Sequence, residues 1–556
     1  MKLLKHSMMG ILLTTCLELH AQKAVFDNFC YQGNDACFER IEKNSTDVCN
    51  PVLGGFYPDP SVCRRGDDYF LVNSSFSYFP GIPLFHSKNL ADWQQIGHVL
   101  DRPEQLKLDG LGLSSGVYAP AISYNTQNQT FYVINTVVGG INNFLVKTKD
   151  PFKEWSEPIR LPQVKGIDPS LFFDEDGKAY IVTSYLPEKS QWYGHRSIHM
   201  YEYDVQADTV IADLGIVVDG GVDVSAKPQW LEGPHIYKVK GIYYLIMAEG
   251  GTHAGHREVA FYSNHVKGPY KPCAVNPILS QAGLDELRPD KVINVGHADL
   301  IDTPQGDWYA FFLGCRPYQD KLYNTGRETF LLPVEWKNHT PVILEKGKAV
   351  PAVVKKPDGD VKGDRKNFFP NGNFKWKDEF DGPVLKQEWC MLRTPRETWY
   401  EIRKGKLYLE ALERTIRKQE NPAFLGRRQQ HLVCQASVDM MFTPQSEHDF
   451  AGLVLFQNEN NLVSIGLTQA KGNTVLVVDN VINGKVSRLY CQPSSHREYT
   501  FCLLVDKGKC NLGIRKGRKT EILCHDIDIT HLSTHKAKGF VGSFLGMYAT
   551  SAYEMK

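Results

Sequence analysis

One pattern recurs five times before residue 345 and limits the architectures open to this chain. It is a polar or aromatic head, a short β-rich run, a polar turn, and a second run rich in aromatic and β-branched residues. The clearest copy is GIDPSLFFDEDGKAYIV, Gly166 to Val182. There Asp168-Pro169-Ser170 precedes Leu171-Phe172-Phe173, the turn Asp174-Glu175-Asp176-Gly177, and Ala179-Tyr180-Ile181-Val182. Two such runs about a Gly-containing turn predict a hairpin. DPSVCRRGDDYFLV from Asp59, YAPAISYNTQNQTFYVI from Tyr118, EGPHIYKVKGIYYLI from Glu232 and GHADLIDTPQGDWYAFF around His297 repeat the pattern. The heads at 59, 118, 168, 232 and 297 are spaced by 59, 50, 64 and 65 residues. A recurring β unit of roughly 40–50 residues or more is the signature of a propeller blade, and five units fall within the usual range of about four to eight. A propeller's innermost strands surround a central channel, so Asp59, Tyr118, Asp168, Glu232 and His297 are expected to face one pocket.

The heads are unusual as structure. Asp is a poor strand residue, and the Pro behind it cannot donate to a ladder. A single Asp-Pro-Ser is a good turn initiator and no more. Two copies at matching repeat positions, with Glu-Gly-Pro at a third, gather like charges at one place. That costs stability, so a functional role is the better reading.

The chain has 556 residues, too many for one domain of ordinary size. Lys+Arg and Asp+Glu both number 63, so nothing favours nucleic acid or an anionic membrane as partner. Residues 1–21 have the form of a secretory signal peptide: Lys2 and Lys5, an apolar run from Met8 to Leu17 too short to span a bilayer, and a small residue, Ala21. A secreted or periplasmic protein is expected, with a lipoprotein anchor at Cys16 as the second choice because Thr15 fits that signal poorly. Cleavage leaves 12 of the 13 cysteines, and an oxidising compartment permits disulfides among the sets Cys30, Cys37, Cys49, Cys63 and Cys491, Cys502, Cys510, Cys524. Residues 22–50 read as a Cys-bearing extension pinned to the main domain. The repeats occupy 51–345, and 346–376 read as a Pro/Gly-bearing linker wrapped over a surface. Beyond it, KLYLEA, LVCQASVDMMF, AGLVLFQ, LVSIGLT, TVLVVDNVI, YTFCLLVD and FVGSFLGMYAT predict a β-sandwich over 377–556. The expected fold is all-β, a five-bladed propeller followed by a sandwich.

Several motifs carry a resemblance. NPVLGGFYPDPSVCRRGDDYFLVNSSFSYFPGIPLFHSKNLADW, GIDPSLFFDEDG, EGPHIYK, GHADL and TGRETF resemble glycoside hydrolase family 43, closest to its β-xylosidases and α-L-arabinofuranosidases. DEFDG…EW, LGRRQQH and FVGSFLGMYAT are similar to that branch's C-terminal concanavalin A-like sandwich. The resemblance implies an exo-acting, inverting glycosidase that releases terminal xylose or arabinofuranose from cell-wall oligo- or polysaccharides such as xylan, arabinoxylan or arabinan. It implies Asp59 as general base, Glu232 as general acid, and Asp168 as the group that holds and tunes the acid. It also implies Arg327 as a binder of sugar hydroxyls, with a structural salt bridge as the alternative. Phe76 and Tyr118 would line the pocket, although the branch usually has Trp at Tyr118. Phe544 would reach the pocket mouth, with a strand-core role as the alternative. No cofactor is required. In parts of the family the position of His297 helps bind a divalent cation, often calcium; the plainer expectation is a histidine bonded to a carboxylate or a water. A non-catalytic sugar-binding propeller and an endo-arabinanase are the competing readings. A binding protein would tolerate loss of the acid triad, which is present here, and endo-arabinanases usually lack the sandwich.

Overall fold

A computed structural model describes residues 22–40, 46–357 and 368–554. The expected signal segment, with Cys16, lies outside the described residues. Five antiparallel sheets follow one another in the order of the sequence repeats. Their first strands are Ser61–Arg65, Ala121–Asn125, Ile167–Phe173, Glu232–Val239 and Ile293–Asp302. Each expected hairpin is present; Ile167–Phe173, for example, pairs with Ala179–Tyr185. The five first strands pack side by side in a closed ring, the fifth against the first, which makes a five-bladed propeller.

Hydrogen bonds stitch every junction of the ring. Ile122 N donates to Ser61 Oγ at 3.0 Å, Ser123 Oγ to the Leu171 carbonyl at 2.7 Å, and Ser170 Oγ to the Pro234 carbonyl at 2.5 Å. Tyr237 OH donates to Asp299 Oδ1 at 2.5 Å, and Ser61 Oγ to Asp299 Oδ2 at 2.7 Å, which closes the circle. The repeated Asp-Pro-Ser therefore has divided labour. Its serine joins neighbouring blades, while its aspartate is left for the pocket. Residues ahead of blade 1 latch onto the last blade: Leu53 exchanges backbone bonds with Thr329, and the buried Asn50 side chain bonds both backbone groups of Leu331. Burying a backbone segment this way satisfies groups that would otherwise be orphaned.

The C-terminal part is a sandwich of two eight-stranded sheets. Phe29, Val438, Phe501 and Leu512 on one inner face meet Leu453, Ile465, Leu545 and Met547 on the other. The expected extension over 22–50 needs correction here. Lys23–Gly33 is an interior strand of the first sheet, between Leu407–Glu410 and Val433–Met441. The alternation of Phe29 and Tyr31 with Asn28, Cys30 and Gln32 gives it one apolar face, which only the sandwich core can cover. Asp47–Cys49 pairs with Val353–Lys355 of the expected linker, and that linker buries Val350, Val354 and Phe369 in the propeller core. All twelve cysteines of the described residues are free thiols.

The two halves share a sheet. Tyr78–Phe79 of blade 1 pairs with Cys390–Leu392 as the edge strand of the second sandwich sheet. The LGRRQQH motif reaches back to the propeller, with Arg428 Nε donating to the Phe56 carbonyl at 2.7 Å and Gln430 Nε2 to the Gly54 carbonyl at 3.0 Å. This fixes one sandwich edge over one end of the propeller axis. Among the described residues no helix is long and apolar enough to cross a membrane.

Candidate active site

The first strands of blades 3, 4 and 5 carry β-bulges at or beside their heads. In blade 3, Ile167 pairs with Ser184 and Ser170 with Val182, so Asp168 and Pro169 are squeezed out of the ladder. Blade 4 bulges at Gly233-Pro234, between Glu232 and His235, and blade 5 at His297-Ala298, between Gly296 and Asp299. The first residue of each bulge has left-handed backbone, φ 52° at Asp168, 58° at Gly233 and 53° at His297, and so has Asp59, φ 52°, just ahead of the blade-1 strand. Asp and His are among the non-glycine types that tolerate this region, at a cost of order 1–3 kcal/mol each. Bulges of this kind re-aim side chains and cluster near active sites.

The bulges correct the expected equivalence of the heads. Asp59, Asp168, Gly233 and His297 are the matching positions; Glu232 stands one residue earlier, as does Tyr118 before Ala119-Pro120. Glu232 thus enters the pocket from the first paired position of its strand, not from the bulge. Gly233 is forced by its neighbour, since a Cβ there would lie 2.6 Å from the His297 ring.

Asp59 is buried and held from two sides. Arg327 Nη1 donates to its Oδ1 at 2.8 Å and Nη2 to its Oδ2 at 3.3 Å, and Ser74 Oγ donates to Oδ2 at 2.6 Å. His297 Nδ1 lies 3.7 Å from Asp59 Oδ1. Two-pronged pairing of this type fixes the carboxylate plane. Arg327 itself lies against the rings of Phe76 and Phe540, with its guanidinium carbon 5.7 and 5.5 Å from their centroids.

Glu232 and Asp168 have the opposite character. Burial lifts the Glu232 carboxyl from 4.5 to about 7, with Asp59 adding to the rise and Arg196 and Arg327 opposing it. Burial likewise pushes Asp168 well up, helped by Glu232 and Asp59 and opposed by the Gly233 N–H, which it accepts at 3.3 Å, and by Arg196. Two carboxyls that repel each other in a dry pocket titrate as a pair and retain a proton near neutral pH. One end of the propeller axis therefore gathers Asp59, clamped by Arg327 and Ser74, and a coupled carboxyl pair with raised proton affinity, which is what acid–base chemistry at a single bond needs.

Aromatic residues wall this pocket. Phe76 is buried, and Tyr118 lies 5.0 Å from it, its hydroxyl donating to the Ser114 carbonyl. From the sandwich, Phe540 stacks on Phe76 at 5.8 Å, and its N–H donates to Ser114 Oγ at 2.9 Å. The expectation for Phe544 is corrected by this geometry. Phe544 is fully buried and stacks on Tyr78 at 4.0 Å, because its strand position turns it into the core. Phe540, four residues earlier, is the aromatic that reaches the pocket.

Three further side chains belong to the site and carry no motif. Arg196 acts on both Glu232 and Asp168 and lies 5.4 Å from the Trp230 ring. Trp230 stands two residues before Glu232 and meets the exposed Tyr193 edge-on at 5.7 Å. His256 packs beneath His297, its Nδ1 2.9 Å from the Asn294 carbonyl, and burial takes both rings down to about 4. Among the described residues no three His, Cys, Asp or Glu side chains converge to hold a metal ion.

The comparisons with known proteins agree in extent. Residues 48–341 match the family described as Glycosyl hydrolases family 43, and 377–556 match the Beta xylosidase C-terminal Concanavalin A-like domain. The chain is 38% identical over 510 residues to a xylosidase/arabinosidase of Butyrivibrio fibrisolvens, covering 90% of this chain and 95% of that one. It is 35% identical over 515 residues to a non-reducing-end α-L-arabinofuranosidase of Bacteroides ovatus, covering 90% and 91%. The crystal structure of a GH43_12 retrieved from a capybara gut metagenome superposes with a TM-score of 0.88 at 39% identity, covering 95% of this chain and 100% of that one.

Proposed function

This chain belongs to glycosyl hydrolases family 43, and we propose that its pocket removes single β-D-xylosyl or α-L-arabinofuranosyl residues, with inversion, from the ends or branches of plant-type oligo- and polysaccharides. It is an exo-acting glycosidase, like the xylosidases and arabinosidases it resembles. The observation that carries the residue assignment is the contrast between Asp59, clamped by Arg327 and Ser74, and Glu232, whose carboxyl is lifted to about 7.

In this reading the terminal sugar lies between the two. Glu232 gives its proton to the glycosidic oxygen as the bond to the anomeric carbon breaks. Asp59 takes a proton from a water that attacks that carbon from the opposite face, so the products are the free sugar and the shortened glycan. Proton exchange with solvent then resets both groups. Asp168 keeps the proton on the acid side of the pocket and, through the Gly233 N–H, holds the segment that carries Glu232. Arg327 orients Asp59 and offers its remaining N–H groups to sugar hydroxyls. Phe76, Tyr118 and Phe540 exclude water and limit depth. A wall supplied by the sandwich suits attack at chain ends rather than along a chain. The reaction as written requires no cofactor. Lys2, Lys5, the apolar run to Leu17 and Ala21 support export and cleavage near residue 21.

The test is hydrolysis of 4-nitrophenyl β-D-xylopyranoside and 4-nitrophenyl α-L-arabinofuranoside, with the first-formed anomer followed by NMR. Release of either pentose as the inverted anomer, with loss in Asp59→Asn, is expected. A retained anomer, or full activity in that variant, overturns the assignment.

A further inference from the structure

The sandwich has a second recessed surface, remote from the propeller residues. The strands Lys23–Gly33, Val433–Met441, Glu498–Asp506 and Lys509–Lys516 run side by side, and alternate residues face outward. One outward row is Cys30, Ser437, Cys502 and Gly513, paired in register. Three small side chains and a glycine in line leave a trough. The next outward row is Gln32, Gln435 and Leu504. Trp376 and Lys375 close one side and Arg515 and Thr520 the other, giving a groove of about 370 Å³. No residue of the propeller lines it.

The chemistry of this lining is selective. Gln435 Nε2 donates to Gln32 Oε1 and Gln32 Nε2 to Asn34 Oδ1, and the remaining amide and hydroxyl capacity of Gln32, Gln435, Ser437 and Thr520 lies at the spacing of neighbouring strands, about 4.8 Å. No acidic residue lines the groove, yet three cations do: Lys375, Lys377 and Arg515. Lys377 is paired with Glu379. Lys375 and Arg515 have no carboxylate partner among the described residues, and Arg515 bonds only neutral groups of the groove, the Ser437 hydroxyl at 3.4 Å and the Cys502 thiol. A neutral sugar would use the amides and leave both cations without a complement. A guanidinium fork fits a planar carboxylate in two-pronged fashion. A protein partner would be expected to meet a larger apolar centre than this groove offers.

We propose that this groove is a second glycan-binding site, for a uronic-acid-bearing oligosaccharide stretch of the polymer that the catalytic pocket trims. It rests on the reading of that pocket as a pentosidase of plant-type polysaccharides. Holding a charged branch on the sandwich would keep the polymer attached while its ends or side chains are cut in the propeller.

The test uses the full chain carrying Asp59→Asn, so that no sugar is released, and calorimetric titration with two xylo-oligosaccharides that differ only in one glucuronic acid branch. The branched sugar is expected to bind more tightly. Lys375→Gln with Arg515→Gln should weaken it about tenfold or more, as loss of charge-assisted bonds does. Arg515→Lys should keep part of the affinity, which separates lost recognition from lost folding. Equal affinity for the two sugars, or a double variant that binds the branched sugar as its parent does, overturns the proposal. Wild-type hydrolysis of the 4-nitrophenyl pentosides separates the two readings: hydrolysis without charge-selective binding removes only the groove, and selective binding without hydrolysis removes only the pocket assignment.

Discussion

Replacing Glu232 with glutamine should make the folded protein more resistant to heat at alkaline pH even as it removes the acid catalyst. The carboxyl is lifted from 4.5 to about 7 in the folded chain, chiefly by burial. Because the folded state holds this proton more tightly than the unfolded state does, stability is fully present below about pH 4.5 and is lost as pH rises toward 7 and just beyond. At 1.36 kcal/mol per pH unit, a rise from 4.5 to about 7 corresponds to about 3 kcal/mol at most. The residue is only partly buried by surface exposure, so solvent screening should reduce this to about 1–2 kcal/mol. Glutamine keeps the shape and never ionises. It also relieves the repulsion on Asp168, which has the same sign. The assay is a set of thermal melts of wild type and Glu232→Gln at one scan rate between pH 4 and 9. The two should melt together near pH 4, and the variant should lead by a few degrees above pH 8. A lead that does not change with pH, or a variant that melts earlier at pH 8, refutes the claim that Glu232 is ionised at a cost in a dry pocket.

Other outcomes follow from the same geometry. Asp168→Asn should move the basic limb of the kcat/KM profile to lower pH, since a repelling carboxyl is gone, but not down to 4.5, because burial of Glu232 remains; an unmoved or raised limb counts against the coupling. Arg196→Gln should move the same limb upward, because Arg196 opposes the rise at both carboxyls; a pH–rate series read alongside Asp168→Asn gives opposite displacements if this is right. Gly233→Ala should cost about 1–3 kcal/mol of stability or shift His297, as φ is 58° and the added Cβ meets the ring at 2.6 Å. A melt and a kcat/KM unchanged from wild type would contradict that packing.

Much of this was readable in the sequence because the blade is a local unit. Head, strand, turn and strand lie within about twenty residues, and the period of the apolar pattern speaks for each hairpin alone. The one-residue offset of Glu232 and Tyr118 was also on the page, in the shared prolines Pro60, Pro120, Pro169 and Pro234, but only the bulge register shows why the proline is the point to align. Phe540 and Phe544 lie in one apolar run, and the sequence has no means of saying which one the strand turns inward. The alternation in Lys23–Gly33 was visible, whereas its partner, Val433–Met441, lies some four hundred residues away and nothing local points to it. Arg196 is a polar residue on no motif; it matters only because folding carries it to Asp168 of its own blade and Glu232 of the next.

The central claim is that Glu232 protonates the departing oxygen and Asp59 activates the water. The measurement that tests it most directly is kcat/KM of Glu232→Gln on a 4-nitrophenyl pentoside against the matching unactivated oligosaccharide, with Asp59→Asn in parallel. An aryl leaving group needs little protonation. Loss of the acid should therefore slow the oligosaccharide by about 10²–10⁴-fold and the aryl substrate far less, while loss of the base should slow both alike. Equal slowing of the two substrates in Glu232→Gln would contradict the account.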